Sequence, residues 1–333
     1  MSFVGLDIGY SQLKLAWGQA GGRPQQRVWP AMAAPKALVA ETLGVTAKGG
    51  RSTPPEEGIE VTVNGESWIA GIRPSRVSGW QRALHADYPA SQSYQALWLA
   101  ALSQIPDARI ECLVTGLPVA QAMDPARREA LRQRLRGPHQ TPRGLVEVID
   151  VRVLAQPIGT FIDVLMQAEP EVLDRISEGT VLVLDVGFFS VDWALLVGGD
   201  LRRTTTGTSL EAMSVLIEQA AGRIASERGG RPPLAAIEQA LGENRATLLT
   251  RGQRLTVAPY LEQAAAERVP IALEALRQDL RREQTEIDLI LLTGGGARWF
   301  APTLGTLFPG VPLQPPVDPV SANARGYFHY ARR

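Results

Sequence analysis

Apolar residues in this chain follow two spacings, short continuous or alternating runs and longer stretches at helical intervals, and the two succeed one another along its length. The first run, Phe3 to Ile8, ends in Asp7-Ile8-Gly9-Tyr10-Ser11. A second follows at once, with Leu13, Leu15 and Trp17 alternating against Lys14 and Ala16. Two β-rich runs joined by a short Gly/Ser turn predict a hairpin. Residues 44–58 are dense in Gly, Pro, Ser, Thr and charge and read as a loop excursion. The segment Ile59 to Ile69 alternates on both sides of Asn64-Gly65, the strongest hairpin signal in the chain.

Helical spacing sets in at 91–104, carried by Tyr94, Leu97, Trp98, Ala101 and Leu102. A buried strand, Ile110 to Thr115, follows and closes at Gly116-Leu117-Pro118. Residues 125–136 predict a helix rich in arginine (127, 128, 132, 134 and 136), read as a solvated face. A strand from Leu145 to Val153 and a helix from Gly159 to Gln167 complete the first half.

The opening pattern then returns. Val181 to Asp185 predicts a strand, Gly187-Phe188-Phe189-Ser190 a turn, Val191 to Val197 a second strand, and 201–206 a third after Gly198-Gly199-Asp200. Strand, Asp-x-Gly, turn and strand thus occur twice, at Asp7/Gly9 and Asp185/Gly187, an internal duplication of architecture. Helices follow at 208–227, 233–241 and 260–283. Leu289 to Leu292 predicts a buried strand, Thr293-Gly294-Gly295-Gly296-Ala297 a turn into a helix, and 319–330 the last helix. Strands alternating with helices define the α/β class, and the duplicated hairpins make its sheets mixed.

Composition narrows what such a chain does. Its 333 residues suggest about two domains. The 34 basic and 34 acidic side chains cancel, which argues against a protein that coats nucleic acid or an anionic membrane. The hydrophobic stretch Thr180 to Asp200 is interrupted by Asp185, Gly187 and Asp192, residues that suit turns, and no run approaches the ~18 apolar residues of a membrane span. With no basic segment and apolar stretch at the start, the expected compartment is the cytoplasm. The single cysteine, Cys112, reads as a buried strand thiol, and His85, His139 and His329 lack ligand spacing, so no metal is assigned to them.

The candidate chemistry lies in four turns. A carboxylate at a strand end can hold a Mg²⁺ ion or orient water, and a glycine two residues on lets backbone N–H groups approach a phosphate. Asp7 with Gly9 and Asp185 with Gly187 both satisfy this, with Ser11 and Ser190 adding hydroxyls. The triple glycine 294–296 after a buried strand permits close backbone contact with a ligand at a helix N-terminus. Gly207, between Thr206 and Thr208-Ser209, is expected to start a long helix with hydroxyl caps. Neither a P-loop nor a Gly-x-Gly-x-x-Gly fingerprint is present.

In this order, the four elements resemble the actin/Hsp70/sugar-kinase superfamily along essentially the whole chain. Within it, the small size, Leu13-Lys14-Leu15, Val63-Asn64-Gly65-Glu66 and Thr115-Gly116-Leu117-Pro118 are most similar to ParM/StbA-type plasmid-segregation actins. The resemblance implies an actin-like fold: two RNase-H-like domains with mixed five-stranded sheets around a nucleotide cleft. Residues 1–155 with the C-terminal helix 319–333 would form domain I, and 156–318 domain II. It implies ATP or GTP with Mg²⁺ as cofactors, the metal flanked by Asp7 and Asp185. Gly9, Tyr10 and Ser11 would form the first phosphate loop, with Lys14 reaching the β-phosphate region. Gly187, Phe188 and Ser190 would form the second, and Gly294, Gly295, Gly296 and Ala297 would line the base and ribose side, with Gly207 beyond.

Catalysis in this family turns on the start of the crossing helix, where ParM proteins carry Glu and actins Gln. Gln156 stands there, able to orient water but not to accept its proton as a carboxylate does. Phe188 and Phe189 depart from the usual Gly/Thr of the second loop and remove a hydroxyl from it. The implied activity is an ATPase coupled to polymerisation. Subunits would stack head to tail as an open polymer, and a DNA-bound adaptor would couple the filament to plasmid copies, with DNA contacted indirectly and no membrane involved. The loop 44–58 is a candidate subunit contact. The alternatives are a small-molecule kinase of the same superfamily and an Hsp70-type chaperone.

Overall fold

A computed structural model describes residues 1–40, 58–77 and 87–333. The first half runs β1 (Ser2–Ile8), β2 (Gln12–Gly18), β3 (Gln25–Pro30), β4 (Ala33–Pro35), β5 (Ile59–Val63), β6 (Glu66–Ala70), α1 (Gln92–Leu102), β7 (Arg109–Leu117), α2 (Val119–Ala122), α3 (Pro125–Leu135), β8 (Gly137–Thr141) and β9 (Gly144–Ala155). The crossing helix α4 (Gln156–Leu165) and α5 (Pro170–Glu178) lead into β10 (Thr180–Val186), β11 (Val191–Val197) and β12 (Asp200–Ser209). Then come α6 (Met213–Arg228), α7 (Leu234–Gly242), β13 (Thr247–Thr250), β14 (Gln253–Thr256), α8 (Ala258–Ala272) and α9 (Glu274–Glu283). The chain closes with β15 (Leu289–Thr293), α10 (Ala297–Leu307), β16 (Leu313–Gln314) and α11 (Ala322–Ala331).

Two mixed sheets organise the molecule, in the orders β3-β2-β1-β7-β9-β8 and β12-β11-β10-β15-β16. Each is built on an antiparallel three-strand meander whose first strand pairs in parallel with a strand from later in its half: β1 with β7, β10 with β15. The duplication read from the sequence is therefore a duplication of sheets. The first sheet has six strands rather than the expected five, because Gly144 (φ +116°) closes a tight turn that folds β8 back along β9. A separate hairpin, β5–β6, turns at Asn64 (φ +51°) and Gly65 (φ +83°) with Val63 opposite Glu66, the left-handed pair a two-residue turn demands.

The two largest apolar cores lie on helix-covered faces. One gathers Leu6, Leu15, Leu97, Trp98 and Leu113 under α1 and α3, the other Leu184, Trp193, Leu216, Leu261 and Phe300 under α6, α8 and α10. The arginine-rich helix α3 is not merely solvated. Arg132 and Arg136 donate to the Val151 and Ile149 carbonyls of β9 (3.1 Å each), and Arg134 donates to the Pro89 carbonyl (2.8 Å) while lying over the Trp98 ring.

Helices α4 and α11 join the halves. α11 packs on α4, β1, β2 and β7. It approaches α4 so closely that a Cβ on Gly326 would strike the Gly159 carbonyl, and one on Gly159 would strike the Tyr327 ring and the Asn323 backbone. Arg325 fixes the register through a buried bidentate pair with Asp163 (2.9 and 2.6 Å).

Several element boundaries differ from expectation. Residues 208–212 are not helical: β12 runs to Ser209, and α6 begins at Met213, where the N–H groups of Met213 and Ser214 donate to the Gly187 and Phe188 carbonyls (3.4 and 2.8 Å). The expected helix 260–283 is two, broken at Leu273 just after Pro270. Helix α4 starts at Gln156, three residues earlier than expected, with Pro157 in its first turn. Asp185 and Asp192 lie inside strands, not turns. Cys112 is buried, and burial pushes its thiol up to about 11. Among the described residues no group of His, Cys, Asp and Glu could hold a metal by itself, and no helix is long and apolar enough to cross a membrane. His85 and residues 44–57 of the candidate contact loop lie outside the described residues.

Candidate functional site

The site forms where β1 and β10 end. Asp7 sits at the buried end of an apolar strand, directly across the hairpin from Lys14, whose Nζ donates to Asp7 Oδ2 at 2.9 Å. Its other oxygen accepts from Gln156 Nε2 at 3.3 Å, so the first residue of α4 and the second strand of the meander hold one carboxylate between them. Burial works against the Lys14 charge, but the Asp7 carboxylate outweighs it and the ammonium pKa is raised.

Asp185 repeats this placement in the second half, opposite Asp192 on β11. Burial, with the Asp7 charge adding to it, pushes Asp185 up to about 7 although Asn323 Nδ2 donates to its Oδ2 at 2.7 Å. Asp192, 1% exposed, is the better satisfied of the two. It accepts from the Ser190 hydroxyl (2.6 Å), the Thr208 hydroxyl (2.6 Å) and the Val119 N–H (2.7 Å). Burial nevertheless raises its pKa. The two loops are built alike: Gly9 N–H bonds the Gln12 carbonyl (3.0 Å), and Gly187 N–H bonds the Ser190 carbonyl (2.9 Å).

A cavity of about 170 Å³ opens between these ends. On its first-half side lie Asp7, Gly9, Tyr10, Ser11, Lys14 and the Gly116-Leu117-Pro118 strand end. Gln156 stands at the floor, and Asp185, Gly187, Phe188, Ser190, Gly294, Gly295 and Gly296 form the far side. The wall beyond them is Met213 and Ile217 of α6 with Glu238, Leu241 and Gly242 of α7. A second cavity, about 300 Å³, continues past Ser11, Gln12, Glu238 and Gly242 toward Trp29 and Arg73. The structure thus brings together thirteen of the site residues expected from sequence, as Gly207 and Ala297 do not line the cavity. Gly207 lies within β12, where a side chain would collide with the Trp193 ring, and it starts no helix. Ala297 opens α10 and packs into the second core.

Other residues of the site escaped the sequence reading. Gln121 lines the cavity, buried, and its Oε1 has no hydrogen-bond partner among the described residues. An aromatic row crosses the cleft: Tyr10 stacks on Tyr88 (4.7 Å between centroids) and meets Phe189 (4.4 Å). Asp192 carried a signal, one charge inside the apolar run Val191 to Val197. Asn323 carried none, since its partners lie 138 and 163 residues away.

Two meander-based sheets, each ending in an Asp-x-Gly turn over one cleft and linked by a crossing helix and a returning C-terminal helix, define the actin-like fold. Residues 5–159 match the family model for the N-terminal domain of actin-like proteins. The chain is similar to the crystal structure of Ta0583, an archaeal actin homologue, at 22% identity over all of both chains with a TM-score of 0.75. The ADP complex of that protein matches at 20% identity over all of both chains, with a TM-score of 0.72. A 15-stranded ParM filament from Clostridium botulinum matches at 16% identity over 99% of each chain, with a TM-score of 0.74. No curated protein matches the sequence. The chain therefore has the actin-like fold, and its first half carries an actin-like N-terminal domain.

Proposed function

We propose that this chain binds a nucleoside triphosphate with Mg²⁺ in the cleft, ATP with GTP as the alternative, hydrolyses it, and assembles head to tail into filaments. The observation that carries this reading is the pair of buried carboxylates, Asp7 and Asp185, at equivalent strand ends over one cavity walled by three glycine turns. The residues fit such a ligand. Asp185, held near pKa 7 by burial, is a carboxylate short of positive charge. Gln121 Oε1 is a buried acceptor awaiting a donor, and the turn at Gly294 (φ +88°) keeps open the space beside Asp185 Oδ1 that a side chain would fill.

In this reading Asp7 and Asp185 hold the metal and its waters, and Mg²⁺ supplies neutralisation of the phosphate charge. The N–H groups of Gly9–Ser11 and Gly187–Ser190 grip the phosphates, with Lys14 as the nearby cation. Met213, Ile217 and Leu241 offer an apolar bed for the base beside Gly294–Gly296. Gln156, tied to Asp7 through its amino group, orients the attacking water. The functional division is 1–155 with 319–333 against 156–318, supported by the two separate apolar cores. Filament assembly is supported by likeness to the ParM filament. Plasmid segregation through a DNA-binding adaptor in the cytoplasm is the role this reading assigns, consistent with 34 basic and 34 acidic side chains that leave no net charge for coating DNA.

The test is sedimentation and negative-stain microscopy with ATP, GTP or no nucleotide, each with Mg²⁺, alongside phosphate release. Nucleotide-dependent filaments and phosphate release that Asp185→Ala abolishes are expected. Protein that stays unassembled and releases no phosphate with either nucleotide overturns the proposal.

A further inference from the structure

Asn323 stands in the first turn of α11, 7% exposed, and its carboxamide is engaged at both ends. Its Oδ1 accepts from the Thr160 backbone N–H (3.1 Å) and from the Thr160 hydroxyl (2.8 Å), and its Nδ2 donates to Asp185 Oδ2 (2.7 Å). A backbone N–H can only donate, so the carboxamide oxygen must face α4 and the amino group must face Asp185. The orientation is imposed by the main chain of α4. Thr160 is one turn beyond Gln156, which donates to Asp7 Oδ1. One helix therefore addresses both cleft carboxylates, Asp7 through its own first residue and Asp185 through Asn323.

We infer that Asn323 is a positioning residue for the metal–nucleotide site: it occupies Asp185 Oδ2 and so leaves Oδ1 turned toward the Gly294 turn. A Cβ placed on Gly294 would lie 2.6 Å from that Oδ1, which locates the oxygen on the cavity side. Without the Asn323 donor the carboxylate is free to rotate about its χ2 bond, a broad two-fold torsion, and its cavity-side oxygen is no longer fixed. Arg325, two residues on, clamps Asp163 and holds α11 against α4 without touching Asp185.

The inference rests on the Mg²⁺-nucleotide reading above and is tested apart from it by equilibrium binding of ATP, measured with Mg²⁺ and with EDTA. Wild-type protein is expected to bind more tightly with Mg²⁺. Loss of a residue that orients a metal ligand typically costs about 10–100-fold in metal affinity. Asn323→Leu should therefore forfeit about tenfold or more of the Mg²⁺-dependent gain while its affinity in EDTA moves little. Arg325→Lys, a purely structural change in the same helix pair, should lower the melting temperature and keep the gain. If Asn323→Leu does not fold, Asn323→Ser, which shortens the side chain out of reach of Asp185, is read the same way. A folded Asn323 variant that keeps the whole Mg²⁺-dependent gain overturns this inference and leaves the cleft reading standing. Wild-type protein that binds neither ATP nor GTP, with or without Mg²⁺, overturns both.

Discussion

At the scale of single residues, the balance between burial and pairing separates the three cleft carboxylates. Asp7 has a lysine and an amide, Asp192 has two hydroxyls and a backbone N–H, and Asp185 has, among the described residues, the Asn323 amide, with the Asp7 and Lys14 charges nearby. Burial raises the pKa of Asp192 as well, and it pushes Asp185 up to about 7 from an ordinary 3.8. A carboxyl whose pKa is raised by folding takes up a proton when the chain folds. Its stabilising contribution is complete below pH 3.8 and is lost as pH rises to about 7, by at most about 4 kcal/mol. In EDTA, Asp185→Asn should match wild type in denaturant stability near pH 4 and exceed it by a few kcal/mol at pH 8, because the new amide still accepts from Asn323. Parallel stability–pH curves for the two proteins would refute the assignment. For Gln156 the expectation concerns rate. Gln156→Ala should slow phosphate release about 10²–10⁴-fold with nucleotide affinity nearly intact. Its filaments should accordingly persist longer in ATP by sedimentation. Unchanged release in a folded variant removes Gln156 from the reaction.

At the scale of elements, the crossing of α4 and α11 inverts a familiar rule. Replacing an interior helical glycine by alanine ordinarily gains about 1 kcal/mol. At Gly326 the added methyl would overlap the Gly159 carbonyl, a backbone atom that no rotamer change relieves. Gly326→Ala is expected to destabilise the chain by about 3 kcal/mol, read by urea melts, with an alanine that stabilises it contradicting the close crossing. This crossing was not legible in the sequence, because close helix approach depends on which glycines face each other across 167 residues. The β1–β2, β5–β6 and β10–β11 hairpins were legible, since Asn64-Gly65 and the two Asp-x-Gly turns act within a few residues, whereas β3 at Gln25–Pro30 was not predicted. The start of α6 was misread for a related reason: Thr208 and Ser209 look like caps, yet Thr208 is engaged by Asp192, and the helix ends on the carbonyls of the second loop instead. Local signals placed the glycine turns and the strand-end carboxylates. Long-range bonds placed Asp192 and Asn323.

At the scale of the whole molecule, the contacts that cross the cleft between described residues have unequal energies. Arg73 and Glu243 pair at 2.5 Å across its outer mouth, but their side chains are 55% and 26% exposed, and such pairs are typically worth about 0–1 kcal/mol. Tyr10 and Phe189 meet through their rings. Asp192 is buried and binds Val119 N–H directly, while the Thr208 hydroxyl that donates to Asp192 also accepts from Ala120 N–H (3.0 Å), so α2 of the first half is tied to β11 and β12 of the second. Hydrogen bonds to a charged group contribute about 1.5–3 kcal/mol each, and a buried donor left unmet costs about 1–3 kcal/mol more. The inner clasp therefore outweighs the outer one. Asp192→Ala should lose about 3 kcal/mol or more of stability and, in X-ray scattering without nucleotide, show a larger radius of gyration as the halves part. Glu243→Ala should stay within about 1 kcal/mol of wild type with an unchanged radius. Asp192→Asn separates clasp from charge: its carboxamide oxygen still accepts from Val119, and its amino group meets the Ser190 hydroxyl, which accepts as readily as it donates. That variant should keep the wild-type radius. An open Glu243→Ala, or a closed and stable Asp192→Ala, would place the clasp at the mouth of the cleft instead of at its floor.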